Sequence, residues 1–249
     1  MLPLEKGVTY GLSGETATYA QQVYIDGKLL SEVGKVSDNA EEFVPATDRY
    51  TLYFTAQADT AEIIIRHAWF NHRTGTIQKL CLAKAPLISA NDRAQTVCDG
   101  LIAGTLLAMA IFFFGMFLLG NRKRSMMWFS LTCLTAALHY LIYESKQIGV
   151  LFPYLDWYTE HKLEYITNIL YFVFILLYAF AALGLRPHKH FVVTSVCSAG
   201  AILLFYIFAP STVYTHFTVV AGAVMAVYLI LSSVYICVTA VKHLSLIHI

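Results

Sequence analysis

The sequence predicts a mixed fold, an N-terminal antiparallel β-sandwich followed by an α-helical transmembrane bundle. Three observations predict it. Hydrophobic residues make up 57% of the 249 residues and charged ones only 13%, too apolar for an ordinary soluble domain and far from disorder. Charge is also unevenly spread. Residues 1 to 95 interleave acids and bases, whereas beyond Gly100 charges fall in short clusters between long apolar runs, as expected when runs cross hydrocarbon and clusters face water. Finally, the N-terminal part alternates β-branched and aromatic stretches with turn signals.

Those stretches are Tyr19 to Ile25, Tyr50 to Thr55, Ala61 to His67 and Ile77 to Leu82, each with the length and composition of a strand. Asp26-Gly27 marks a hairpin, because glycine accepts the positive φ angles of a tight turn. Four or five strands are too few to close a sandwich, so the domain is expected to be incomplete at its N-terminal edge. Met1-Leu2-Pro3-Leu4-Glu5-Lys6 lacks the basic start and apolar core of an export signal, in keeping with that expectation.

Trp69, Asn71, His72 and Arg73 follow the third of these stretches and form the candidate ligand-binding loop, since sandwiches bind ligands on loops held by rigid strands. An indole can stack on a sugar ring while amide, imidazole and guanidinium groups bond its hydroxyls. The competing expectation is that Trp69 fills the core and Asn71 closes a turn through its own backbone.

Five apolar runs follow, at about 100–120, 125–143, 166–185, 191–208 and 217–241. Each is long enough to span roughly 30 Å of hydrocarbon as a helix. A closed β-barrel is excluded, because Leu106-Leu107-Ala108-Met109-Ala110-Ile111-Phe112 does not alternate apolar with polar. Gly104 with Ala108, and Gly222 with Ala226, are small residues four apart, which let helix backbones approach. His139 and Asn168 are the notable polar residues in or beside these runs and are expected to face the bundle interior as packing residues. Tyr154, Trp157, Tyr158, His161 and Tyr165 recur at helical spacing in the connection before the third run, where an interfacial anchor is expected.

Positive residues stay on the cytoplasmic side, so Arg122, Lys123, Arg124, Arg186 and Lys189 determine the topology. The β domain and the segment 144–165 are then outside, in a multi-pass protein of the cell's inner (plasma) membrane. Leu244 to Ile249 match one reading frame of a transposon sequencing adapter, and these residues are expected to be an artefact. The expected domains are thus 1–95, the sensor, and 96–243, the membrane region.

The net charge of +1 lacks the concentrated basic excess that nucleic-acid binding requires. Cys81, Cys98, Cys133, Cys197 and Cys237 have no metal-binding spacing. Cys81 and Cys98 are the pair that a disulfide could join, and the other thiols lie in apolar runs as small hydrophobes. No phosphate loop, paired metal histidines or nucleophile elbow is found. No metal, cofactor or catalytic activity is therefore expected of the chain.

Several motifs resemble those of the bacterial seven-transmembrane receptors with diverse intracellular signalling modules. Val23-Tyr24-Ile25-Asp26-Gly27-Lys28-Leu29 resembles that family's strand-turn motif, and Gly34-Lys35-Val36 the glycine turn that follows. Ile63-Ile64-Ile65 leading to Phe70-Asn71-His72-Arg73-Thr74-Gly75 is similar to its strand and Asn-His-Arg loop, with Thr76 where a second glycine is usual. Gly104 and the following Arg-Lys-Arg also fit. The resemblance implies an outer domain of jelly-roll, galactose-binding-like form, seven helices of which this chain has five, and a cytoplasmic output such as a histidine kinase or diguanylate cyclase. The implied function is a receptor input module. Its implied partners are the lipid bilayer, an extracytoplasmic ligand, a signalling module in cis and, compatibly with these, a second copy of the chain. A transporter subunit is the rival reading, and it would call for charged or helix-breaking residues within the spans.

Overall fold

The computed structural model describes residues 3–70, 80–185 and 189–247. The chain divides into two units, one of residues 1–100 with 145–159 and one of residues 101–144 with 160–249.

The first unit is organised by one long strand. β1 (Thr9–Ile25) pairs antiparallel with β2 (Lys28–Val33), β3 (Ala46–Thr55), β4 (Ile63–Ala68) and β5 (Cys81–Lys84). Its N-terminal half lies between β3 and β5, and its C-terminal half between β2 and β4. The β1–β3 register shifts between Thr16 and Tyr19, a bulge of the kind that bends a strand and lets it leave one sheet for another. Two small antiparallel sheets result.

Inward residues alternate along β1 with the strand period of two. Tyr10 and Leu12 from one half and Val23 and Ile25 from the other join Tyr50 and Phe54 of β3 in one core. The Asp26-Gly27 turn forms as expected, with φ of 48° and 77°, the paired positive angles of a type I′ hairpin. The fourth predicted strand, Ile77 to Leu82, begins outside the described residues, and its described successor is β5. Cys81 and Cys98 are both free thiols, so the disulfide that could have joined them does not form here.

β1 begins ten residues before the predicted Tyr19. Gly11 and Gly14 break its apolar pattern, and the packing explains them: a side chain on Gly11 would meet Ile88, and one on Gly14 would meet Tyr50 and Leu80.

Ile88 belongs to α1 (Ala85–Met116), a 32-residue helix that starts fifteen residues before the predicted first span. Residues 85–99 are too polar to read as membrane, but Pro86 suits a first helical turn. One face of this part is fixed to the sheets. Ile88 is buried at 2% exposure, the Thr51 hydroxyl donates to Asp92 at 2.7 Å, and the Arg49 guanidinium pairs with Asp99 at 3.1 Å.

The second unit holds most of the remaining helices, and among the described residues five helices of the chain are long and apolar enough to cross a membrane. α1 ends in a π turn, Phe117–Asn121. α2 (Arg124–His139) ends in another, Tyr140–Glu144. A short α3 (Ile148–Leu151) belongs to the first unit. α4 (Trp157–Ala182), α5 (Lys189–Phe208) and α6 (Ser211–Ile247) complete the bundle. Ser130 of α2 donates to the Ala110 carbonyl of α1 at 2.7 Å, and Trp128 stacks on Phe174 of α4. Tyr206, Tyr214 and Met225 of α5 and α6 bury around Ile169 of α4.

Candidate functional site

The sequence places its candidate ligand loop after β4, and the described part of that loop is solvent-facing. Trp69 is 41% exposed, and its indole stacks on the His67 imidazole with centroids 5.0 Å apart and planes 19° from parallel. The expectation that Trp69 fills the core is therefore wrong. The core is already closed by Val23, Ile25 and their neighbours, and Trp69 lies past the end of the strand. Asn71, His72 and Arg73 lie outside the described residues. Phe70 meets Phe43 edge-on at 5.2 Å, which steadies the start of the loop.

The β4–β1 register runs from Ala20 opposite Ala68 to Ile25 opposite Ile63. Trp69 thus sits at the far end of the paired segment from the Asp26-Gly27 turn. Beside that turn a cleft of about 410 Å³ is lined by Asp26, Lys28, Tyr53 and Gln57 among others. Asp26 and Lys28 belong to the strand-turn motif, but the sequence does not show a cleft there, because the facing wall comes from the end of β3.

The described residues expected to determine the topology lie at helix connections. Arg122, Lys123 and Arg124 are exposed between α1 and α2, and Lys189 is exposed at the start of α5. Arg186 is outside the described residues. Connections between the first and second spans and between the third and fourth fall at the same end of an up-and-down bundle.

The opposite end carries polar residues that sequence reasoning assigned to an aqueous connection. α4 begins at Trp157 rather than Ile166, so Glu160, Lys162 and Glu164 lie in its first turns, ahead of the apolar run that begins at Ile166. The alternating charges of Glu160 to Glu164 masked the helix, although aromatic residues at helical spacing signalled it. Of that aromatic face, Tyr154 is fully exposed, while Trp157 and His161 are buried at 8% and 4% exposure. Here His161 and Tyr165 pack into the bundle and do not serve as a surface anchor.

His139 Nδ1 lies 3.2 Å from the Thr167 hydroxyl. His161 Nδ1 lies 3.4 Å from Glu164. Tyr165 stacks on Tyr206 with centroids 4.9 Å apart, and Tyr214 closes the group edge-on to both. Among the described residues no group of His, Cys, Asp or Glu could hold a metal ion.

Two small antiparallel sheets, followed among the described residues by five helices long and apolar enough to cross a membrane, define a multi-pass membrane protein. Within that class, the family model described as 7TM diverse intracellular signalling matches residues 95–247, more than half of the chain. The chain belongs to this family, and its membrane region is a transmembrane sensory and signalling module. No curated protein and no solved structure gives a significant match.

Proposed function

We propose that the chain is the input part of a transmembrane receptor, whose β domain takes up a carbohydrate or another small molecule outside the inner (plasma) membrane. The basic connections Arg122 to Arg124 and Arg186 to Lys189 face the cytoplasm in this reading. Ligand capture biases two packings of the bundle, and a cytoplasmic module in cis, such as a histidine kinase or diguanylate cyclase, senses the difference. The chain itself performs no catalysis in this scheme.

The observation that carries the reading is the Trp69 indole, held flat on His67 and open to solvent. An exposed, pre-ordered aromatic plane offers a sugar ring a stacking surface at little entropic cost. Asn71, His72 and Arg73 follow it in sequence and supply hydrogen-bonding groups.

The test is a thermal-shift screen of glycans and small metabolites on the purified chain, repeated with the best ligand on Trp69→Ala, His72→Ala and Arg73→Ala. Because Trp69 is outside the core, all three variants should melt within a few degrees of the parent. Loss of the ligand-induced shift in them supports the site. Retention of the full shift in all three places the ligand elsewhere, with the cleft at Asp26 and Lys28 the next surface to examine.

A further inference from the structure

We propose that the helical bundle contains its own binding site, for a small organic ammonium ion with an apolar body. The site is a cavity of about 320 Å³ between α2, α4, α5 and α6. It is independent of any ligand on the β domain.

Size and lining argue that the cavity is made for an occupant. A liquid water occupies about 30 Å³, so this space far exceeds one trapped water and reaches the lower end of small-molecule pockets, which start near 300 Å³. It is also no greasy packing defect. By contrast, the space farther along α4, α5 and α6, lined by Leu176, Phe180 and Val192 among others, amounts to about 30 Å³. Polar and ionisable side chains turned between membrane helices are functional-site candidates, and His139, Glu164 and Asn168 line this space at the outer end of the bundle in the proposed orientation.

The chemistry of the walls selects a cation. Glu164 brings a carboxylate about 10 Å along α4 from its start at Trp157, given 1.5 Å per residue. Its bond to His161 is long at 3.4 Å, and its side chain retains 22% exposure, leaving an oxygen surface for a ligand. Around it, Tyr143, Tyr165, Phe172 and Tyr206 line the same cavity, and aromatic faces attract ammonium groups. Among the described residues lining it, none is Lys or Arg, so nothing there competes for the carboxylate as a fixed cation or favours an anion. His139 and Asn168 complete the polar wall. Tyr143 is presented by the π turn Tyr140–Glu144, an irregularity that helices adopt mostly at functional sites.

Both a dissolved amine and the choline headgroup of a lipid carry this chemistry. The probe is radiolabelled benzyltrimethylammonium, measured by equilibrium dialysis on the full chain in dodecyl maltoside, against its neutral isostere neopentylbenzene as competitor. The cation should bind at least about tenfold more tightly than the isostere, a difference of about 1.4 kcal/mol. Glu164→Gln should remove most of that preference and Glu164→Asp should keep part of it. Gly222→Leu gives an independent block. Gly222 lines the cavity, a Cβ there would meet nothing within 4 Å, and leucine favours helix over glycine. This variant should lose binding without a lower melting temperature. Added phosphatidylcholine that weakens probe binding supports the site and identifies the headgroup as its source. Unchanged binding with that lipid supports the site with a dissolved amine. Equal affinity for cation and isostere in the parent chain overturns the proposal even if no variant folds, as does full binding by Gly222→Leu.

Discussion

Ile88, one turn into α1, lies so close over Gly11 of β1 that a Cβ on that glycine would come within 2.9 Å of the Ile88 Cβ. Strand and helix therefore meet backbone to side chain with no room for a second one. Gly11→Val should destabilise this contact by about 1–3 kcal/mol through overpacking. Ile88→Ala should cost about 2–4 kcal/mol through the lost burial and the space left behind. The two sites share one contact, so Gly11→Val with Ile88→Ala should cost less than the sum of the single changes, because the smaller residue 88 makes room for the larger residue 11. Hydrogen exchange of residues 85–99 reads all three, and strict additivity would show that the contact carries no energy.

This contact also shows where sequence reasoning stops. The hairpin at Asp26-Gly27 and the apolar runs were legible, because turn chemistry and hydrophobic length are local properties. The start of β1 was not, since Gly11 and Gly14 answer to side chains seventy-seven and thirty-six residues away, Ile88 and Tyr50. The first part of α1 was hidden for the same reason. Asp92 and Asp99 look like surface charges in sequence and have partners only once Thr51 and Arg49 are beside them. In the candidate loop the residue types were legible but their burial was not, and Trp69 turned out to face solvent. The bundle cavity was least legible. Its carboxylate stands among alternating charges that read as an aqueous connection, and its walls come from four helices.

The Arg49 and Asp99 pair should make the end of the docked segment sensitive to charge. The Asp99 side chain is 7% exposed and that of Arg49 26%, so the carboxylate depends on its neighbours for stabilisation. Arg49→Met should cost about 1–3 kcal/mol, less than for a fully buried pair because the guanidinium still reaches water. Adding Asp99→Asn should recover part of that loss, because the remaining group is then neutral. Exchange protection at residues 95–100 measures both changes. A double variant no better than Arg49→Met alone would show that Asp99 is stabilised by its other contacts.

The proposed orientation puts residues 121–124 in the cytoplasm. In a cysteine-free background, a single cysteine at position 121 should resist an impermeant thiol reagent in intact cells and react after permeabilisation. One at Tyr154, which is fully exposed, should react without it. Replacing Arg122, Lys123 and Arg124 by Gln should give a mixed population, because they are the densest positive cluster beside any span. Labelling at position 121 in intact cells would reverse the orientation. Uniform insertion of the triple variant would show that other features set it.

Asp156 should make the entrance to α4 sensitive to acid. Its carboxylate accepts a 2.6 Å hydrogen bond from the Thr159 hydroxyl and one of 3.1 Å from the Thr159 backbone N–H, the arrangement by which an N-cap satisfies the first helical turn. These bonds, the hydroxyl first, hold its pKa below the ordinary carboxylate value. A depressed folded-state pKa means that the stabilisation is complete above the unfolded value and is lost as pH falls through the folded one. The cap should therefore be intact at neutral pH and weaken below about pH 4. Asp156→Asn should cap nearly as well at pH 7 and lose this acid-sensitive component, since asparagine is a comparable cap without a titrating group. Asp156→Ala should cost about 1 kcal/mol at neutral pH and less as the pH approaches 3. Melting temperatures of the three proteins between pH 7 and 3 isolate the effect by difference, because their other carboxylates are common. If parent and Asp156→Asn lose stability in parallel across that range, the Thr159 contacts contribute nothing to the helix start.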